Sequence, residues 1–158
     1  MCMKRLISFV LLGCITLLSC ERRDVAFEQT IELDNNMMVT SNPLVFTYEH
    51  GKDTFQLYQI SLAIKHQPNL PYMQIPFTLG LISQSGGSSA IPIAIPVFDK
   101  KKQFVGKPQA DSTFLLEQVL FYSTRLSEGK NIFILQPASY NDTLVGISSI
   151  TFAIDKVN

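Results

Sequence analysis

The sequence has 158 residues, of which 46% are apolar and 16% charged, and this length fits one globular domain. Lysine and arginine together number 13, as do aspartate and glutamate, so the chain lacks the excess positive charge that attracts nucleic acids. Two histidines, three cysteines and no tryptophan leave few of the side chains that build metal sites, nucleophilic triads and redox pairs. We therefore expect no nucleic acid partner, no metal or other cofactor, and no enzyme activity.

The first 20 residues have the pattern of a bacterial secretion signal. Basic residues at positions 4 and 5 precede an apolar run at residues 6–18. This run is too short for a transmembrane helix, which needs roughly 20 apolar residues. Residues 17–20, Leu-Leu-Ser-Cys, resemble a lipobox, the motif at which bacterial lipoproteins are cleaved before a cysteine that then carries lipid. The sequence therefore predicts a lipidated Cys20.

These features divide the chain into a lipoprotein signal peptide at residues 1–19, a lipidated cysteine with a short tether at residues 20–24, and one domain at residues 25–158. Because Cys2 and Cys14 leave with the signal peptide, the mature chain keeps no second cysteine for a disulfide. Several acyl chains, palmitate among them, hold a protein on a membrane far more firmly than one chain does. We expect a cell-envelope protein anchored to a membrane through Cys20. The arginines that interrupt the acidic run after Cys20 favour a periplasm-facing protein.

The rest of the chain has the alternating hydrophobicity of β-strands, with turn residues at short intervals. Apolar residues recur at every second position in residues 44–48, 58–64, 75–81, 91–97 and 150–154, and residues 25–33 are a candidate first strand. We expect residues 75–81 and 91–97 to form a hairpin around the turn at residues 83–89. In residues 132–135, either the two isoleucines or Phe133 and Leu135 face inward.

Seven or eight short strands without long helical segments predict an all-β fold, an antiparallel β-sandwich, because two facing sheets bury one side of each other without crossover helices. Pro92 and Pro96 have the same parity, so both missing N–H donors lie on one side of their strand. That strand is expected at a sheet edge with its proline side unpaired. Residues 115–122 are apolar on both parities and fit either a central strand or a short helix.

Catalytic and metal-binding patterns are absent from the sequence. His50 and His66 are isolated, whereas a zinc or iron site needs three or four ligands at defined spacings. No serine lies in a Gly-x-Ser-x-Gly motif. Loop carboxylates such as Asp99 and Asp142 leave open a glycosidase pair, which requires two acids roughly 5–10 Å apart. The three lysines at residues 100–102 fit a solvated turn better than a contact with anionic lipid or protein.

Aromatic residues near turns or strand ends are the candidates for a binding surface. They are Tyr72, Phe98, Phe104, Tyr122 and Tyr140. Because β-sandwiches bind sugars by stacking them on exposed rings, a glycan or small ligand is an alternative to a protein partner.

The mature chain resembles the GldH-type gliding-motility lipoproteins of the Bacteroidetes. The similar stretches are Phe55 to His66 with Tyr72, Ile95 to Asp99, Phe104 to Gly106, Gly129 to Gln136, and Leu144 to Ile154. The resemblance implies a non-enzymatic envelope lipoprotein associated with the gliding machinery, which in this phylum is linked to the type IX secretion system. It carries over no functional residue except Cys20.

Two functions follow as expectations. The first is an accessory or scaffold lipoprotein that binds envelope proteins of the motility or secretion machinery, through an exposed edge strand or the turn aromatics. The alternative is a glycan- or small-ligand-binding lipoprotein with a concave patch of aromatic and polar groups.

Overall fold

A computed structural model describes residues 23–53, 55–139 and 142–157. The described residues form eleven strands: β1 (Asp24–Glu32), β2 (Met37–Val39), β3 (Leu44–His50), β4 (Leu57–His66), β5 (Gln74–Ser83), β6 (Ser88–Pro96), β7 (Lys107–Pro108), β8 (Phe114–Thr124), β9 (Gly129–Pro137), β10 (Thr143–Val145) and β11 (Ile147–Val157). A 3-10 turn at Asp34–Asn36 separates β1 from β2. None of these residues belongs to a helix long and apolar enough to cross a membrane. The predicted signal peptide and Cys20 lie outside the described residues.

Two antiparallel sheets form the sandwich. One has the strand order β1-β11-β4-β8-β7 and the other the order β3-β9-β5-β6, while β10 and β2 form a separate two-stranded ribbon. The predicted antiparallel β-sandwich is confirmed. Eight of the described strands have seven or more residues, and β2, β7 and β10 add short pairings that the sequence pattern did not indicate.

The core lies between the two sheets and is built from the alternating residues of the long strands. Ile60, Leu62 and Ile64 of β4 are fully buried, and their neighbours in the sequence are half-buried. In β9 the phenylalanine and leucine face inward, which decides between the two predicted parities. The ring of Phe152 in β11 has its centroid 4.8 Å from those of Phe46 and Phe133, so three strands from both sheets meet at one aromatic cluster.

The predicted hairpin and its edge position are confirmed. β5 pairs with β6 in register from Gln74 opposite Pro96 to Ile82 opposite Ser88, and no other strand of the described residues pairs with β6. Just beyond β6, the Val97 N–H donates to the Met73 carbonyl at 3.0 Å, so residues of this parity direct their N–H groups toward β5. The prolines have the opposite parity, and their missing donors therefore lie on the open side of the edge.

Residues 115–122, for which the sequence left strand and helix open, belong to β8. The pairing of β8 with β4 runs from Thr124 opposite Tyr58 to Phe121 opposite Ile60 and Val119 opposite Ser61, so β8 contains two extra residues. Each such bulge changes which side of the sheet the following residues face. The apolar residues on both parities are explained by these two changes of face.

The strands define two ends of the sandwich. Asp24, Lys156, Tyr58 and Thr124 form a row across β1, β11, β4 and β8 at one end. We call it the Arg23 end, because the chain enters there; the loops after β3, β5 and β8 lie at the same end. The opposite end, here the far end, carries the loops after β4 and β6.

The first described residues are fixed to the sandwich. Asp24, which the sequence assigned to the tether, begins β1. The Arg23 guanidinium donates to Asp155 Oδ2 from Nη2 at 2.7 Å and from Nε at 3.1 Å. Asp155 is 5% exposed, and its other oxygen, Oδ1, has no hydrogen-bond partner among the described residues. Beside this pair, the Lys156 ammonium lies 4.0 Å from the Asp24 carboxylate.

Candidate functional site

The most open side of the sandwich lies between β6 and β8. β6 is the edge of one sheet. In the other sheet the last strand, β7, pairs with β8 only at Phe114 and Leu115. From Leu116 to Thr124, β8 pairs on its outer side with no other strand of the described residues. The inner faces are therefore partly accessible along this side, where Ile91 and Phe121 are half-buried.

Two adjoining cavities lie in the opening between β6 and β8. The first has a volume of about 390 Å³ and extends to the Arg23 end; its lining includes Ile60, Leu81, Ile91, Phe121, Leu126 and Phe133. The second has a volume of about 380 Å³ and is lined by residues 91–94, Pro96 and residues 118–121. Ile91 and Phe121 line both cavities. The two cavities therefore form one continuous depression, which we call the β6–β8 groove.

The groove is lined by both apolar and polar side chains. Ser88, Arg125 and Ser127 are among the polar residues of the first cavity, and Gln118 lines the second. Asn131 also lines the first cavity, but its Nδ2 donates to the carbonyls of Ser127 at 2.8 Å and Gly129 at 3.0 Å, so it holds the loop after β8 in place. No carboxylate is present among the described residues that line either cavity. The apolar part of the lining is thus suited to bind apolar groups.

Of the five predicted surface aromatics, Tyr122 fits the expectation best. It is 71% exposed and follows Phe121 of the groove. The Tyr72 hydroxyl accepts a hydrogen bond from the Val145 N–H at 2.9 Å, which joins the loop after β4 to β10 at the far end. Phe98 and Phe104 contact each other with ring centroids 5.7 Å apart and pack against the core, and Tyr140 lies outside the described residues.

Phe55 is an exposed aromatic residue that the sequence reasoning missed. It lies in the loop between β3 and β4 at the Arg23 end, and it is 82% exposed. Its backbone N–H donates to Asp53 Oδ1 at 3.2 Å. The available signal was its position in a short loop that also contains glycine, lysine and aspartate, a composition typical of a turn.

Both histidines are buried among aromatic rings. His66 stacks on Phe114 and lies edge-to-face against Phe104, while its Nδ1 donates to the Gln67 carbonyl at 2.7 Å. Burial lowers the pKa of His66 below its ordinary value. His50 lies 3.4 Å from the Tyr58 hydroxyl through Nδ1. The described residues contain no group of three or more histidine, cysteine, aspartate or glutamate side chains placed to share a metal ion.

Two loop carboxylates, Asp99 and Asp111, have structural partners. Asp111 Oδ2 lies 2.6 Å from Lys65 Nζ, and the hydrogen bond from Lys65, followed by that from Thr113, lowers the pKa of Asp111 to about 2. Asp99 Oδ1 accepts the N–H groups of Lys101 and Gln103, each at 2.8 Å, so the lysines at residues 100–102 lie in an exposed turn. Neither cavity of the groove brings two acids together.

The sequence matches no protein-family model and no curated protein. Among solved structures, it is similar to the module titled CBM35 from Cellvibrio japonicus Abf62, at 13% identity and a TM-score of 0.33 over 87% of this chain and 93% of that one. It is also similar to a chain in the complex of Aeromonas sobria serine protease with its chaperone, at 13% identity and a TM-score of 0.32 over 84% of this chain and 27% of that one. At these scores the likenesses carry no argument about function.

Proposed function

We propose that this chain is a cell-envelope lipoprotein, anchored to a membrane through Cys20 and facing the periplasm, that serves as a non-enzymatic scaffold of the gliding-motility or associated secretion machinery. The lipobox-like residues 17–20 support the anchor. The resemblance to the GldH-type lipoproteins supports an association with the gliding-motility or secretion machinery. The open side of the sandwich supports the binding of a protein partner.

The β6–β8 groove is the observation that carries the proposal. A partner segment that lies along it would place one apolar side chain in each cavity, on either side of the Ile91 and Phe121 pair. Burying apolar surface is the main favourable term in protein association. The missing N–H donors of β6 make that edge a poor partner for an added strand. The two bulges of β8 likewise interrupt regular pairing. Binding by side chains in the groove is therefore favoured over strand addition.

A glycan or small ligand is the second candidate, and it is favoured by one feature of the groove. The first cavity combines Phe121 with the polar side chains of Ser88, Arg125 and Ser127. Small-ligand sites combine an apolar lining with a few polar groups that orient the ligand. Phe121 is the half-buried aromatic ring of this cavity, and its face would have to stack on a sugar.

Site-specific photo-cross-linking in the native envelope tests the scaffold proposal. A photoreactive residue at Tyr122, the exposed residue that follows Phe121 of the groove in β8, should cross-link to components of the motility or secretion machinery. The matched position is Val45, which is 47% exposed on the opposite edge strand β3. Cross-links of equal strength from both positions, or none to such components from Tyr122, would contradict the proposal. In Cys20→Ala the Tyr122 cross-links should weaken, because the anchor places the domain beside its partner.

Calorimetric titration with envelope glycans distinguishes the second candidate. Saturable binding that is lost in Phe121→Ala and Arg125→Ala would place the glycan-binding function first. No heat of binding, together with cross-links from Tyr122, would leave the scaffold function.

A further inference from the structure

We infer that the Arg23 end of the sandwich lies against the bilayer surface, with the Phe55 ring inserted among the lipid headgroups. The inference rests on the proposed lipid anchor at Cys20. It adds an orientation for the domain and a second membrane contact that no motif indicates.

The point at which the chain is fixed to the sandwich limits how far the domain can stand from its anchor. Arg23 is held by two hydrogen bonds to the buried Asp155, and β1 begins at the next residue. Two residues separate Cys20 from Arg23, so the two Cα atoms are three steps of the chain apart. Even fully extended, three residues span only about 10–11 Å.

This reach is comparable to the thickness of the headgroup layer. A bilayer measures roughly 30 Å across its hydrocarbon core and 40–45 Å with its headgroups, which leaves about 5–8 Å of headgroups on each side. With the acyl chains of Cys20 in the core, Arg23 lies in the headgroup layer or within a few ångströms of it. The Arg23 end must then face the lipid, because the sandwich cannot rotate far about so short a segment.

Phe55 lies at this same end. Asp24 and Tyr58 both pair with Lys156, on opposite sides of β11. Adjacent strands lie about 4.8 Å apart, so the starts of β1 and β4 are separated by roughly 10 Å. Phe55 precedes Tyr58 by three residues and extends beyond this row.

The base of the Phe55 loop is fixed, so the ring has a defined place. Gln56 Nε2 donates to the carbonyl of Val157 at 3.0 Å and to that of Leu57 at 2.9 Å. Val157 lies two residues after Asp155, the partner of Arg23. The loop that presents Phe55 and the residue that receives the tether are thus attached to the same end of the same strand.

The chemistry of the loop suits a lipid surface. An aromatic residue that is 82% exposed to water gains by placing its ring among the headgroups, at the edge of the apolar core. Lys52 and Arg125 are exposed at the same end and can contact lipid phosphates, but the exposed Asp53 and Glu128 belong to the same two loops and offset their charge. The contact therefore depends on the anchor and the ring, and we expect little change of it with salt.

The absence of tryptophan from the sequence makes a direct test possible, because one introduced indole is then the sole tryptophan signal. The lipidated mature protein carrying Phe55→Trp is reconstituted into phosphatidylethanolamine–phosphatidylglycerol vesicles that contain lipids with a nitroxide near the top of the acyl chain. The control carries Met73→Trp at the far end, where the native residue is 64% exposed. Quenching by the nitroxide should be several-fold stronger in Phe55→Trp, and quenching by aqueous iodide correspondingly weaker.

Vesicle flotation separates the orientation from the anchor. If the wild-type protein floats with the vesicles and Cys20→Ala does not, the anchor is present. Equal nitroxide and iodide quenching in the two floating tryptophan variants would then overturn the orientation while leaving the anchor intact. If the wild-type chain carries no lipid and does not float, the proposed anchor and the orientation that rests on it both fail. Unchanged urea midpoints of the two variants would show that neither substitution disturbs the fold.

Discussion

Removal of the Arg23 side chain tests whether the chain is fixed to the sandwich from this residue onward. Arg23→Met leaves the Asp155 carboxylate, whose side chain is 7% exposed, without its two donors. Breaking a fully buried ion pair costs about 3–5 kcal/mol. Because the Arg23 side chain is 52% exposed, solvent already screens the pair and would reach the carboxylate in the variant. We therefore expect a loss of about 1–2 kcal/mol, which lowers the Tm of a domain of this size by roughly 3–8 °C.

The assay is urea unfolding of the mature chain without lipid, followed by far-ultraviolet circular dichroism. A double-mutant cycle with Asp155→Asn isolates the pair from other effects of each substitution, and we expect a coupling of about 1 kcal/mol. Lys156→Met is the matched control, because its partner Asp24 lies 4.0 Å away and both side chains are about half exposed; it should change stability by less than about 0.5 kcal/mol. Additive effects of the two substitutions in the cycle would refute the claim that the Arg23–Asp155 pair fixes the chain to the sandwich.

Three further outcomes are expected from the fold, each measured on the chain without lipid. Burial lowers the pKa of His66, so the unfolded state binds more protons below about pH 6.5 and the free energy of unfolding should fall as the pH drops through that value. Urea titrations between pH 7.5 and pH 5 should show a smaller fall in His66→Phe. Equal dependence of the unfolding free energy on pH in both proteins would contradict a lowered pKa of His66. Phe152→Ala should lower the free energy of unfolding by about 3–5 kcal/mol or prevent folding. Val45→Ala on the outer face should lower it by less than about 0.5 kcal/mol. A similar loss of stability in both variants would be inconsistent with the aromatic cluster. Replacing Pro92 and Pro96 together by threonine restores two N–H donors on the open edge of β6. Size-exclusion chromatography should then show association that depends on concentration. A monomer at every concentration would count against the idea that these prolines prevent pairing at this edge.

Much of the fold was predictable because alternation along a strand directly encodes which face is buried. Residues 58–64 and 150–154 belong to strands that are regular over these stretches, and each predicted inward residue is buried. The edge position of β6 followed from proline chemistry. β8 was not assignable from the sequence because its two bulges reverse the inward parity twice, and a bulge depends on the pairing partner and not on local composition.

The groove was not predictable for a related reason. Its walls are β6 and β8, which are separated in the sequence by the segment that contains β7, and the opening depends on how few residues of β7 pair with β8. Of the surface aromatics, Phe98 and Phe104 lie near turns yet pack inward, because the loop after β6 folds back over the end of the core. Proximity to a turn does not by itself indicate exposure.

The two proposals together constrain how a partner could reach the groove. The first cavity extends to the Arg23 end, since it contains Arg125 and Ser127 of the loop after β8, and the second cavity continues along β6 toward Pro96. With the Arg23 end on the bilayer, the groove would run upward from the membrane and open to the side. The lysines at residues 100–102 lie at the far end and would face away from the lipid. A partner that fills the groove must then approach along the membrane, as another membrane-attached envelope protein does. The lipid anchor would contribute to binding by keeping this chain and its partner close together on the membrane, which raises their effective concentration.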